Sequence, residues 1–307
     1  MGRSGRVPSL CRQTIREDVV RRIGLAFAAV LALSMPAVAQ TKPTFVFTAI
    51  PDQDETRLVE KFTRVAQHLE GKLGLRVKYV PVKSYPAAVT AFINNEVQLA
   101  WFGGFTGVQA RKGAPGSEAI AQGAEDVNFK SLFIANAKTG LKPTAEFPKE
   151  FAGKSFTFGS RASTSGRVMP EFFIRRAFPG KTPDEVFSRV GFSGDHSRTI
   201  QLVQSGAYET GVLDYTVFDL DKKAGKFDPD RVTLVWETPT FPDYQWTIRG
   251  DVDQTFGSGF KEQVRAALLA IDDATILGYF ARSKFIPAKN ADYQPIEDVA
   301  KATDLLN

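Results

Sequence analysis

The chain has 307 residues, with 39 Lys/Arg against 34 Asp/Glu, one cysteine and two histidines. That composition excludes a disulfide framework and a thiolate metal centre, and it leaves little for an imidazole one. Residues 1–39 hold six of the basic and two of the acidic residues, so the formal charge of +5 falls to +1 beyond them, and no basic patch remains to meet nucleic acid.

Residues 1–39 read as a cleavable signal peptide. Arg16, Arg21 and Arg22 form a basic leader, "IGLAFAAVLALSM" an apolar segment, and Ala37 and Ala39 take the small-residue positions before a cleavage site. The apolar segment is shorter than the ~20 residues that a membrane anchor needs. Cys11 precedes that segment and does not sit at the cleavage site, so no lipid anchor is expected. The remaining 268 residues suffice for one large domain or two ordinary lobes.

"TFVFTAI" (44–50) reads as a buried strand, followed by a helix with Leu58, Phe62, Val65, Leu69 and Leu73 at helical spacing. "LRVKYVPV" alternates as a second strand, "SYPAAVTAFINNE" is a short helix with Pro86 in its first turn, and "VQLAWFGG" is a third strand. The pattern pauses at "AKTGLKPTAEFPKEFAGK". It resumes with the strand "SFTFGS", a helix over Thr164–Phe178, "VGFSGDHS", a helix through Ile200 and Val203, "TGVLDYTVF" and the return strand "RVTLVWE". After a second turn-rich stretch, "TPTFPDY", come an amphipathic helix over 261–280 and a last helix in "PIEDVAKATDLL". Alternating strands and helices predict an α/β fold with parallel sheets and crossover helices. Two pauses predict two lobes, residues 43–138 with 243–307 and residues 139–242, hinged near Lys138–Lys142 and Thr238–Asp243.

Ligands of open α/β sheets bind beyond the carboxyl ends of the strands, so the strand-to-helix turns are the places to look. "ASTSG" places Ser163, Thr164 and Ser165 before Gly166 at a helix start. One hydroxyl there is an ordinary cap, whereas three together suit an anion held at the helix N-terminus. His196 repeats the arrangement between Ser193 and Ser197, while His68 reads as a solvated helix residue. Asp214 opens another helix and reads first as its N-cap. Tyr85 reads as packing beside Pro86, and Trp101 and Phe102 as core. Together they form a second pattern: neutral hydroxyl and N–H donors, one imidazole, one carboxylate and aromatic walls, the means to bind a small oxyanion. There is no G-x-S-x-G, phosphate loop or H-E-x-x-H to carry catalysis. An exported hydrolase or phosphotransferase with Ser163 or Ser165 as nucleophile and His196 as base ranks low, and a sensing subunit docked on a membrane kinase is a third alternative.

"AIPDQDETRL", "VPVKSYPAAVTAF", "VQLAWFGGF", "FTFGSRASTSGRVMPEFF", "VGFSGDHSRTIQLV" and "WETPTF…W" resemble, in order, the phosphate/phosphite/phosphonate-binding periplasmic proteins of ABC importers, over residues 45–290. The resemblance implies a type II clamp that closes on its ligand, with Tyr85, Ser163, Thr164, Ser165, His196 and Asp214 as contacts and Phe102 as an aromatic wall. It further implies a monomeric, cofactor-free periplasmic receptor whose partners are a permease and its ATPase. Gly107 stands where the family often has an aromatic residue, and Thr216 where it often has a second carboxylate. Both departures remove features suited to a larger, amine-bearing phosphonate, and "PDQDETR", "VPVKSY", "VQLAWFGG" and "AIAQGAED" are most similar to a branch ascribed to selenate transport. Selenate is thus the expected ligand, with phosphonate, phosphite or phosphate as the alternative.

Overall fold

In the computed structural model, residues 43–306 and the glycines at 2 and 5 are described; the expected signal peptide and Cys11 lie outside the described residues. The first part of the chain runs β1 (Phe45–Ala49), α1 (Glu55–Leu73), β2 (Val77–Tyr79), α2 (Tyr85–Ile93), β3 (Leu99–Phe102), α3 (Gly104–Gly113) and β4 (Glu118–Gly123). The middle part holds β5 (Ser131–Asn136), β6 (Ser155–Phe158), a wide helical turn over Thr164–Val168, α4 (Met169–Ala177), α5 (Pro183–Val186), β7 (Arg189–Phe192), α6 (His196–Ser205), β8 (Thr210–Asp214), α7 (Tyr215–Lys223) and β9 (Val232–Glu237). The chain then returns through β10 (Gln245–Ile248), α8 (Val252–Phe256), α9 (Phe260–Leu269), α10 (Ala274–Phe280), β11 (Phe285–Pro287) and α11 (Gln294–Ala302).

Two sheets result, with strand orders β11-β4-β10-β3-β1-β2 and β7-β6-β8-β5-β9. The runs at β1, β2 and β3 pair in parallel as their crossover helices require, and so do β6, β7 and β8. The sheets are mixed, however, not wholly parallel. β5 lies antiparallel between β8 and β9, and β10 antiparallel between β3 and β4. Each is the strand that follows a crossing between sheets, so it enters its sheet from the opposite end.

β5 also corrects the expected lobe boundary. It pairs with β8 from Ser131↔Asp214 to Ala135↔Thr210, so the first crossing falls at 124–130, ahead of the turn-rich stretch that suggested 138. That stretch hangs off the second sheet instead, with Thr144 N–H bonded to the Val235 carbonyl. The second crossing, at 238–244, lies where the turn residues suggested. The two crossings run side by side as an antiparallel ribbon, in which Phe129 and Phe241 exchange both backbone bonds at 2.9 Å.

Each sheet buries its own apolar set. Phe45, Phe47, Phe62, Trp101 and Trp246 anchor the first, while Phe133, Phe156 and Phe158 on one face and Ile134, Ile200 and Leu213 on the other anchor the second. The single helix expected over 261–280 is two, because Asp273 accepts the N–H groups of Thr275 and Ile276 and starts α10 afresh. His68 is not merely solvated: its Nε2 bonds the Ala267 carbonyl at 2.8 Å and ties α1 to α9.

Candidate functional site

The turn after β6 carries the hydroxyl triplet, and its three members have three different duties. Ser163 caps the helix, its Oγ accepting the Gly166 N–H at 2.9 Å. Thr164 Oγ1 accepts the Phe105 N–H at 2.9 Å and so reaches across to the first turn of α3, on the other sheet. Ser165 Oγ is buried with no hydrogen-bond partner. The turn is widened: the N–H groups of Val168 and Met169 reach back to the Ser163 and Thr164 carbonyls, a π-type pattern common at functional sites. Gly166 is needed because a Cβ there would lie 3.0 Å from His196 Cε1 and 3.2 Å from the Gly159 Cα.

His196 starts α6 and is wholly buried. Its backbone N–H donates to the Asp52 carbonyl at 3.0 Å, another link between the two sheets. Nδ1 faces the Asp214 backbone N–H at 3.3 Å and must accept there, which leaves the neutral ring's proton on Nε2. Nε2 lies 3.4 Å from the Tyr85 hydroxyl and 3.9 Å from Asp214 Oδ2. Burial, with Asp52 and Asp214 nearby, pushes the Tyr85 phenol well above its usual range, so it stays a donor.

Asp214 does cap its helix: Oδ1 accepts from the Val217 N–H and the Thr216 hydroxyl, both at 2.8 Å. Its second oxygen is turned inward, accepting from the Tyr244 hydroxyl at 2.9 Å. Tyr244 itself stacks on Trp101, with centroids 5.4 Å apart and planes at 14°.

Tyr85, Thr164, Ser165, His196 and Asp214 are each no more than 1% exposed; Tyr85, His196 and Asp214 are linked through the contacts above, and the turn of Ser163, Thr164 and Ser165 adjoins His196 at Gly166. Phe102 is the exception. Its ring packs edge-on to Phe92 at 5.6 Å within the core, because the strand's alternation sends its neighbour Trp101 to the Tyr244 face. Sequence reasoning missed Tyr244, Asp52 and Asp243. Asp52 Oδ1 and Asp243 Oδ2 are buried without partners, and burial pushes the Asp243 carboxyl up to about 7 against the pull of the Gly104 N–H. Turn chemistry in "PDQDE" and "TFPDY" was the available signal, but such residues read as caps. A cavity of about 320 Å³ adjoins the cluster, lined among others by Gln53, Ser84, Ser160 and Asp195, chain neighbours of cluster residues. Among the described residues no group of three or more His, Cys, Asp or Glu is placed to hold a metal.

Residues 47–293 match the family model for the periplasmic substrate-binding protein of phosphonate ABC transporters. The chain belongs to this family. Its members are the binding components of importers and not enzymes, working in the periplasm with a small-molecule ligand and with a permease and ATPase. Among relatives, a probable phosphite-binding protein PhnD1 of an ABC transporter in Prochlorococcus marinus (strain MIT 9301) is 38% identical, the match covering 82% of this chain and 87% of that one. The phosphonates-binding periplasmic protein of Escherichia coli (strain K12) is 22% identical, over 75% of this chain and 69% of its own. The solved structure of the Prochlorococcus PhnD1 with methylphosphonate superposes with a TM-score of 0.82 at 36% identity, covering 86% of this chain and 99% of that one. These matches bear out the type II clamp fold expected from the sequence. No helix among the described residues is long and apolar enough to cross a membrane.

Proposed function

We propose that this family member captures a phosphorus oxyanion, a phosphonate or phosphite, and delivers it to its permease, with Tyr85, Ser163, Thr164, Ser165, His196 and Asp214 forming the binding site. The Asp214 geometry carries the reading. A buried ionised carboxylate accepts hydrogen bonds and cannot donate them. Its inward Oδ2, with His196 Nε2 at 3.9 Å, therefore favours an anion that brings a proton of its own. Phosphorus oxyanions titrate near neutrality, with a second pKa of roughly 6 for a phosphate ester, and so can carry that proton. Selenate and sulfate have none at neutral pH, and two like charges in a dry cleft cost several kcal/mol.

The two departures that pointed to selenate have local packing reasons. The space of a side chain at Gly107 is taken by Gln245, whose Nε2 would lie 2.0 Å from the added Cβ. Thr216 uses its hydroxyl to hold Asp214 Oδ1. The relative that binds methylphosphonate in its solved structure supports the same choice.

The two sheets with their helices are the lobes of the clamp in this reading, hinged on the ribbon formed by 124–130 and 238–244. Calorimetric titration with methylphosphonate, phosphite, phosphate, sulfate and selenate is the test. Methylphosphonate or phosphite should bind and selenate should not, and Asp214→Asn should narrow the gap. Tighter binding of selenate to the wild-type protein refutes the proposal.

A further inference from the structure

Asp243 lies on the second crossing, in the hinge ribbon, and its backbone N–H donates to the Asp126 carbonyl at 3.0 Å. Its side chain turns into the space between the two helix starts. Oδ1 accepts the Gly104 N–H at 2.9 Å, the first free donor of α3. Thr164 Oγ1 stands beside it, both atoms 3.1 Å from the position a Gly103 Cβ would take, so any side chain there would crowd them. Oδ2 has no partner, and neither does Ser165 Oγ, although both residues are only 1% exposed. Buried polar atoms are seldom left unpaired, so two orphans in one small space point to a ligand that joins them.

Thr164 and Ser165 are the hydroxyls assigned above to the oxyanion, so a ligand held there lies directly against Asp243. An ionised Asp243 beside a bound anion would face a like charge away from water. We propose that Asp243 is a built-in neighbour of the anion cradle: when the ligand binds between its Oδ2 and the Ser165 hydroxyl, Asp243 takes up a proton from solvent, coupling capture of the anion to protonation of the protein. The neutral carboxyl then has an O–H to donate, which its ionised form lacks.

The surroundings are suited to such an exchange. The groups that interact electrostatically with Asp243 are Tyr85 from α2, Tyr244 beside it on the crossing, Tyr293 before α11, and Asp126 from the other crossing. The three phenols are all held above their usual range by burial and stay neutral. Asp126 is already engaged by Arg282, whose Nε donates at 2.9 Å. No cation among these groups is therefore free to neutralise Asp243, whose proton affinity sits near neutral, at about 7.

This inference rests on the cradle being the ligand site, as proposed above. The test is calorimetry with methylphosphonate at pH 8 in two buffers of different ionisation enthalpy, which counts protons taken up per ligand, on the wild-type protein and on Asp243→Asn. Asparagine keeps the oxygen that accepts from Gly104 and caps a helix as well as aspartate. The wild-type protein should take up close to one proton more than the variant. Its affinity should also fall more steeply above pH 7, by up to roughly tenfold per pH unit for the one linked proton. Equal proton counts and parallel pH profiles overturn the role of Asp243. If the wild-type protein binds selenate and not methylphosphonate, the functional reading fails, while the same count taken with selenate still decides on Asp243. If asparagine prevents folding, Asp243→Ser provides the same comparison.

Discussion

Arg57, in the first turn of α1, and Asp221, in α7, belong to different sheets, yet Arg57 Nη1 donates to Asp221 Oδ1 at 3.0 Å. The Ser197 hydroxyl donates to the other carboxylate oxygen at 2.7 Å. The Asp221 side chain is 3% exposed and that of Arg57 16%. Truncating one member of a buried pair costs about 3–5 kcal/mol, because the other is left charged and dry. Here Ser197 stays in place and Arg57 is partly wet, so roughly 2 kcal/mol is the sounder figure for Arg57→Ala. A clamp can relieve that penalty by opening, which returns Asp221 to water without unfolding either half. The loss then falls on the closed form, and 2 kcal/mol corresponds to about a 30-fold rise in Kd. The full effect requires the open form to dominate without ligand. Calorimetry gives the affinity, small-angle scattering the fraction closed at saturation, and thermal unfolding the control on stability. An affinity within twofold of wild type, with a lowered Tm instead, would show that the pair holds the fold and not the closed state.

Three further outcomes are expected. Ser165→Ala should weaken oxyanion binding by roughly 1.5–3 kcal/mol, the range for hydrogen bonds to charged groups, with Tm unchanged or raised because a buried orphan hydroxyl is removed; unchanged affinity by calorimetry refutes its role. Gly107→Ala should lower stability by about 1–3 kcal/mol, since the Cβ would sit 2.0 Å from Gln245 Nε2 and break that group's 3.0 Å bond to the Gly103 carbonyl; an unshifted denaturation midpoint counts against it. Lys61 is buried over Phe280, and burial pushes its amine down to about 8, so unfolding takes up a proton between pH 8 and the ordinary lysine value of 10.5. Its contribution to stability therefore rises across that window, and Lys61→Met should be the more stable protein at pH 7, by up to roughly 3 kcal/mol, with the difference shrinking toward pH 10.5; a constant difference across the window refutes the assignment.

The alternation of strand and helix was legible wherever a run was apolar and flanked by turn residues, as at "TFVFTAI" and "SFTFGS". The strands it missed share a physical cause. β4 reads "EAIAQG" and β10 "QWTI", short segments whose polar residues are buried by sheet pairing on both sides. β5, "SLFIAN", has a turn signal only after it, in "AKTG", and none before it to mark where the chain changes sheets. A strand that enters antiparallel after a long crossing leaves no local mark, because its partners β8 and β9 come about 75–100 residues later in the chain. The chain thus crosses between sheets ahead of the first turn-rich stretch, whereas "TPTFPDY" coincides with its return.

At the site, the cap and the anion cradle are two readings of one motif, and its three hydroxyls have separate surroundings. Ser163 is the cap, Thr164 the link to α3, and Ser165 the hydroxyl left without structural work. The same division holds within Asp214, whose two oxygens serve the helix and the cluster separately. Counting hydroxyls at a helix start revealed a surplus, which is as far as spacing can go. Which member is surplus depends on the far side of the cleft, on the Phe105 N–H, Tyr244 and Asp243, and these lie roughly 30–80 residues away in the sequence. Under the proposed function, a cluster with so many acceptors, and with donors that are neutral hydroxyls, N–H groups and one imidazole, discriminates among anions by where protons reside. Charge alone favours any dianion alike, whereas an inward carboxylate favours the one that arrives with a proton.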